Sequence, residues 1–312
     1  MDNYMQMIQQ IMCEVKKVVK GKDSIVEKVL TTVLAKGHIL IEDIPGVGKT
    51  TLAMAFARSM ELEQHRMQFT PDVLPTDVVG FNILDKHQNF EYKAGAVLCN
   101  LFLADEINRT SSKTQSALLE VMEEGRITVD GETREVPKPF HVIATQNPIG
   151  SVGTQMLPES QLDRFMVRLT MGYPDIEHEI DILKGKHKDN SMEQVNRVVS
   201  RQELMDMQSQ AEKVFTHDKI FSYIASLVAA TRNHPYIELG VSPRGTIAIA
   251  AMARASAYVK GRDYVLPEDV KYIFEDVTKH RLLLNSKARV NHITYEQVIT
   301  EVMRQVPIPK VV

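Results

Sequence analysis

The segment that most constrains this chain is a short apolar run, Ile39-Leu40-Ile41-Glu42, feeding a glycine-containing loop, Asp43-Ile44-Pro45-Gly46-Val47-Gly48. A helical pattern opens straight after it, near Lys49-Thr50-Thr51, with Leu52, Ala53, Phe56, Ala57 and Met60 on one apolar face. A buried strand, a tight loop and a helix in this order aim backbone N–H groups at one point, where the helix dipole adds positive potential. Gly46 and Gly48 let the backbone approach an anion closely, and the amides from Gly46 through Val47 to Thr51 form the cradle. Lys49 is placed to bridge the terminal groups of a polyphosphate, and the Thr50 hydroxyl to ligate Mg²⁺. The usual loop of this kind begins with glycine, where this chain has Asp43. Aspartate tolerates the left-handed conformation at modest cost, but its carboxylate must turn outward or bond to loop amides.

A second apolar run, residues 98–104, ends in Asp105-Glu106. A strand buried on both faces delivers such carboxylates at its carboxyl end, where open α/β sheets place their ligands. Asp105 is then expected to hold Mg²⁺ through its water shell, and Glu106 to polarise an attacking water as general base. Alone, the run fits a core strand entering a solvated turn equally well. Paired with the loop, its spacing predicts two neighbouring strands of one nucleotide site. A third run, 141–146, ends at Asn147, whose amide at a strand end can bond both a water and a γ-phosphate. Asn147-Pro148 is also a standard turn opening. Loop, acids and amide together point to ATP with magnesium.

Up to Pro174, strand-like runs at 38–42, 66–69, 98–104, 140–145 and 165–171 alternate with helical patterns, which predicts an α/β fold with a parallel sheet. Asp130-Gly131 marks a hairpin within 126–136, and 81–92 reads as a weaker one turning near 87–89. Beyond Gly172-Tyr173-Pro174 the strand signals fade, and amphipathic helices are expected over 177–186, 200–214, 218–231, 242–259 and 267–284. At 312 residues the chain suits a large domain, 1–174, followed by a smaller one, 175–312. The two cysteines, Cys13 and Cys99, are far apart and outside any metal-ligand spacing, so no disulfide framework is implied. With no signal-like N-terminal segment and no apolar stretch of membrane-spanning length, the expected location is cytoplasmic.

At this point the sequence resembles the AAA+ superfamily, and more closely its MoxR family. The likeness is carried by residues 42–50, by Gln68-Phe69-Thr70-Pro71-Asp72, Leu103-Ala104-Asp105-Glu106-Ile107-Asn108-Arg109 and Ala144-Thr145-Gln146-Asn147-Pro148. It continues through Leu157-Pro158-Glu159-Ser160-Gln161-Leu162-Asp163-Arg164-Phe165 and Ser242-Pro243-Arg244, covering nearly the whole chain. The resemblance implies an αβα sandwich around a five-stranded parallel sheet with hairpin insertions, followed by an all-α helical lid. It also implies a ring of identical subunits, usually a hexamer, with ATP between them. Arg164 then matches an arginine finger reaching the neighbour's γ-phosphate, and Arg244 a lid arginine contacting it in cis. Residues 19–21 match the segment beside the adenine, and Gly172 with Pro174 the hinge. The hairpins match insertions shared with MCM helicases and magnesium chelatase subunits, which face a pore or a partner; alternatively they cover the sheet edge. Members of the family act as chaperone-like assembly factors alongside proteins with von Willebrand factor A domains, and this chain contains no such domain.

Two other classes compete. A nucleic-acid motor needs a basic track, yet the formal net charge is -3 and the second hairpin sets Asp130, Glu132 and Glu135 against Arg126 and Arg134. A nucleotide-regulated scaffold would bind ATP with little turnover.

Overall fold

The apolar runs over 39–42, 101–105, 141–146 and 167–169 become buried strands, and the sheet they build has helices on both faces. The computed structural model describes residues 2–44, 46–147, 155–173, 176–183 and 191–310. In chain order the core strands are β1 (Ile39–Glu42), β2 (Gln64–Gln68), β3 (Gly80–Leu84), β4 (Phe90–Ala94), β5 (Leu101–Asp105), β6 (Arg126–Val129), β7 (Glu132–Glu135), β8 (His141–Gln146) and β9 (Val167–Leu169). Five of them form one parallel sheet in the order β2-β5-β8-β1-β9. The expectation that the loop strand and the acidic strand are neighbours is corrected here: β8 stands between β1 and β5. After β1 the chain crosses to the far edge at β2 and fills back through β5 and β8 before adding β9 on the other side of β1, so chain proximity does not give sheet proximity.

Alternation along the strands divides the core in two. Ile39, Ile41, Leu101, Leu103 and Ile143 face one apolar cluster, while Leu40, Phe102, Ala104, Val142 and Ala144 face the other. The first cluster takes in the helices Asp2–Lys16, Asp23–Leu34 and Lys49–Ser59 and runs on without a break into the C-terminal helices through Leu204, Met207, Ile224 and Met252. The second is closed by the helix Ser112–Glu124. The junction drawn at 174/175 and the hinge residue Pro174 lie outside the described residues.

The Asp130-Gly131 turn forms as expected, with both residues at positive φ, between β6 and β7. The weaker hairpin pairs β3 with β4, and its turn is fixed by Asp85, whose carboxylate accepts from the amides of His87 and Asn89. Among the described residues neither hairpin adds to the five-stranded sheet. They pack on one another instead: Asn82 donates to Asp130 at 2.8 Å, and the Arg134 guanidinium lies 4.1 Å from the centroid of the Tyr92 ring.

The C-terminal region is helical over Ile176–Leu183, Arg201–Glu212, Asp218–Arg232, Pro243–Val259, Pro267–Thr278, Ser286–Val290 and Tyr295–Gln305. Residues 184–186 of the first expected helix lie outside the described residues. The helix expected over 267–284 stops at Thr278, and Leu283–Leu284 (β11) pairs antiparallel with Ile237–Leu239 (β10). Past Thr278 the chain turns inward, where Arg281 donates to Asp163 and to the carbonyls of Phe165 and Met166.

Candidate nucleotide site

The helix Lys49–Ser59 begins at Gly48, in the left-handed conformation, with no side-chain cap and no acidic residue in its first turn. The helices starting at Ser112, Arg201, Pro243 and Tyr295 are each capped by a Ser or Thr oxygen. The uncapped N terminus of Lys49–Ser59, opening from a glycine loop, leaves backbone donors for an external anion. Gly46 and Gly48 sit at φ of 86° and 90°, and a β-carbon on either would meet nothing within 4 Å, so the loop surface stands open. Lys49 is only 9% exposed, and its ammonium donates to the carbonyls of Asp43 at 3.0 Å and Ile44 at 3.2 Å. Burial pushes the Lys49 pKa down, while Asp105, Asp43 and Glu106 oppose that shift. A phosphate chain is a better partner than two neutral carbonyls, so the resting contacts of Lys49 are exchangeable.

Across the cavity the carboxylates are organised by β2 and β8. The Thr145 hydroxyl donates to Asp105 at 2.6 Å and accepts from the Glu106 amide at 2.9 Å, tying the end of β8 to the end of β5. Arg66 pairs with the other Asp105 oxygen at 2.8 Å. Glu106 adopts φ 55°, an uncommon value for a non-glycine residue, and this turns its side chain toward Gln68 (2.8 Å) and Arg109 (2.7 Å). Gly46, Gly48, Lys49, Thr50, Arg66, Gln68, Asp105 and Glu106 thus line one cavity of about 410 Å³. Val47 packs against the apolar core and Thr51 is half-buried in the first helical turn, so their side chains serve the loop's shape.

The donor set fits a magnesium–polyphosphate. Among the described residues there is no cluster of three His, Cys, Asp or Glu side chains that would cage a metal. A Thr hydroxyl and one carboxylate opposite a phosphate cradle match the way Mg²⁺ is bound, with substrate oxygens and water filling its shell.

The remaining predicted residues, Asn147, Arg164 and Arg244, are not among those lining this cavity. Asn147 follows β8 directly, and its carbonyl accepts from the Asn108 amide at 3.2 Å. Arg164 donates to the Leu119 carbonyl at 2.8 Å and pairs with Glu123 at 3.1 Å. Arg244 pairs with the same Glu123 carboxylate. The two arginines therefore converge on one side chain of the helix Ser112–Glu124, and neither lines the phosphate cavity. Their turns are held by a buried network in which Asp163 accepts from Arg281 at 2.7 Å and from the Ser242 hydroxyl at 2.8 Å. Arg66 and Gln68 are site residues that the sequence did not single out by role; only Gln68 belongs to a motif quoted above.

Fold and site define the class: a phosphate-loop nucleotide-binding protein with the AAA+ core and lid. Residues 38–167 match the family model described as ATPase family associated with various cellular activities (AAA), and residues 229–302 match the AAA lid domain. The chain is 46% identical to the protein YeaC of Bacillus subtilis, covering 95% of this chain and 92% of that one. It is 40% identical to Chaperone MoxR1 of Mycobacterium tuberculosis, covering 97% and 83% of the two chains. A crystal structure from Cytophaga hutchinsonii superposes with a TM-score of 0.92 at 39% identity over 99% of this chain and 96% of that one. The chain belongs to the MoxR family of AAA+ ATPases.

Proposed function

We propose that this chain hydrolyses ATP with magnesium, in a ring of its own copies, and uses the cycle for chaperone-like assembly or activation of partner proteins. The observation that carries this reading is the meeting of Lys49 and Thr50 with Asp105 and Glu106 around one cavity, from two separate chain segments. Loop amides and Lys49 would hold the phosphates, Thr50 and Asp105 the metal, and Glu106 would orient water once it leaves Gln68 and Arg109. Thr50 and Asp105 would hold Mg²⁺ where it would supply charge neutralisation to the phosphate oxygens. Asn147 is proposed to position the same water, and Arg164 to supply charge to a neighbouring subunit's nucleotide. Arg244 would follow the lid, residues 175–312, as it moves against the core, residues 1–174. The chaperone-like role is supported by the likeness to Chaperone MoxR1, and a von Willebrand factor A domain protein is the proposed partner class. The absence, among the described residues, of a helix long and apolar enough to cross a membrane is compatible with action in the cytoplasm.

Glu106→Gln should bind Mg·ATP and lose turnover, and activity per subunit should rise with protein concentration. Full activity from a dilute monomer would contradict the ring. A second reading, a nucleotide-regulated scaffold, is favoured by the two donors that occupy Glu106. Measured turnover of the wild type at ring-forming concentration decides between them. A nucleic-acid motor is disfavoured because Arg126, Arg134 and Lys138 each pair with a glutamate.

A further inference from the structure

Asp43 departs from the glycine usual at the start of such a loop, and the structure gives that departure a task. Its side chain turns away from the phosphate cavity and is 6% exposed. One carboxylate oxygen accepts from the Ile44 amide of the loop at 2.8 Å, and the other accepts from the Gly172 amide at 2.6 Å. Gly172 sits at φ 66° in the segment that leaves the sheet after β9. The next carbonyl, that of Tyr173, accepts from Lys22 at 2.7 Å, so this segment is gripped from two sides. The main chain of the same aspartate is engaged too. Its amide donates to Gln146 on β8 at 3.1 Å, and its carbonyl is one of the two resting contacts of Lys49. One residue therefore joins the lysine that would grasp phosphate to the strand exit that leads toward the lid.

We infer that Asp43 is a positioning residue that couples phosphate occupancy of the loop to the core–lid connection at Gly172. This rests on the ATPase reading above. When Lys49 swings to phosphate oxygens, the Asp43 and Ile44 carbonyls lose their cationic partner. The short segment that carries the Asp43 carboxylate is then free to shift, and its grip on Gly172 changes with it. A glycine at this position would build the same loop without the link. A charge-assisted hydrogen bond to a buried amide is strong enough to bias such a connection.

The test is hydrogen–deuterium exchange of the full chain around Gly172, without nucleotide and with Mg·ATP, alongside calorimetric binding. Asp43→Gly is expected to keep saturable Mg·ATP binding while the linker amides exchange about tenfold faster, the value of one charge-assisted hydrogen bond. It should also lose the change in linker exchange that Mg·ATP causes in the wild type. Asp43→Asn, which can accept at only one oxygen, should fall between the two. If Asp43→Gly shows wild-type linker exchange and response, or loses binding as Lys49→Ala does, the coupling role is overturned. A wild type that binds Mg·ATP with an unresponsive linker overturns it as well. A wild type with no binding heat instead sinks the ATPase reading on which the coupling rests.

Discussion

A carboxylate that activates water must be free to turn toward it, and Glu106 is held by Gln68 and Arg109 on a residue whose backbone is already in the left-handed region. Removing the charge while keeping the shape isolates that role. Glu106→Gln is expected to retain Mg·ATP binding while steady-state phosphate release falls by about 100-fold or more, the range for a lost general base. Unchanged turnover would reassign the base. Two other residues bear on stability. Burial holds both His38 and His141 at about 4, with the nearby His141 adding to the effect on His38. His38 accepts from the Val142 amide, and His141 meets Gly37 and Gln208, so both rings are bonded as neutral imidazoles. Because their pKa is lowered from 6.5, the unfolded chain takes up these protons first. Their contribution is full above about pH 6.5 and is lost as pH falls toward 4, on the order of 2 kcal/mol per histidine by pH 5. Urea midpoints at pH 7 and pH 5 check this, and equal midpoints would contradict it. Lys49, Thr50, Asp105 and Glu106 were legible in the sequence because glycine spacing and an apolar run ending in acids leave few alternatives. Arg66 and Gln68 were not, because they act through the register that sets Gln68 opposite Asp105, and register across strands leaves no local mark.

Among the elements, the helix Pro243–Val259 shows how a cap can do two jobs. Ser242 accepts from the Gly245 amide at 3.1 Å and donates to Asp163, the residue before Arg164, at 2.8 Å. Ser242→Ala is expected to cost about 1–2 kcal/mol, more than a solvent-facing cap alone, because Asp163 also loses a partner. Chemical denaturation measures it; a loss near zero would show that the Asp163 contact contributes nothing. The strands and the Asp130-Gly131 turn were legible because apolar runs and positive-φ residues mark them directly. The stop at Thr278 was not, since Leu282-Leu283-Leu284 continues an apolar pattern and no glycine or proline intervenes. The N-terminal helix Asp2–Lys16 buries Ile8, Ile11 and Val15 at helical spacing, a signal present in the sequence but read only as the absence of a leader. The helix Tyr295–Gln305 likewise buries Val298, Ile299 and Val302 at helical spacing.

At the scale of the whole molecule, the sheet, both terminal regions and the lid share one apolar cluster, so motion of the lid must repack a continuous surface. Arg164 and Arg244 share the Glu123 carboxylate, an arrangement that keeps two cations together away from the subunit's own phosphate cavity. These contacts are partly exposed, and surface pairs of this kind are worth about 1 kcal/mol or less, so a neighbour's phosphate can compete for them. Arg164→Ala is therefore expected to leave Mg·ATP affinity within about threefold of wild type while turnover falls by about 1,000-fold, the scale of a finger supplied across an interface. Parallel binding and turnover measurements check it, and loss of binding would place Arg164 in its own subunit's site.

The loop amides around Lys49 and the carboxylates at the end of β5 must gather on the same magnesium–triphosphate for this site to hydrolyse ATP. Calorimetric titration of the folded wild type with Mg·ATP, beside Lys49→Ala, tests this directly. A single saturable binding event in the wild type that disappears in the variant is the predicted result. Equal heats in the two proteins, or none in the wild type, would contradict it.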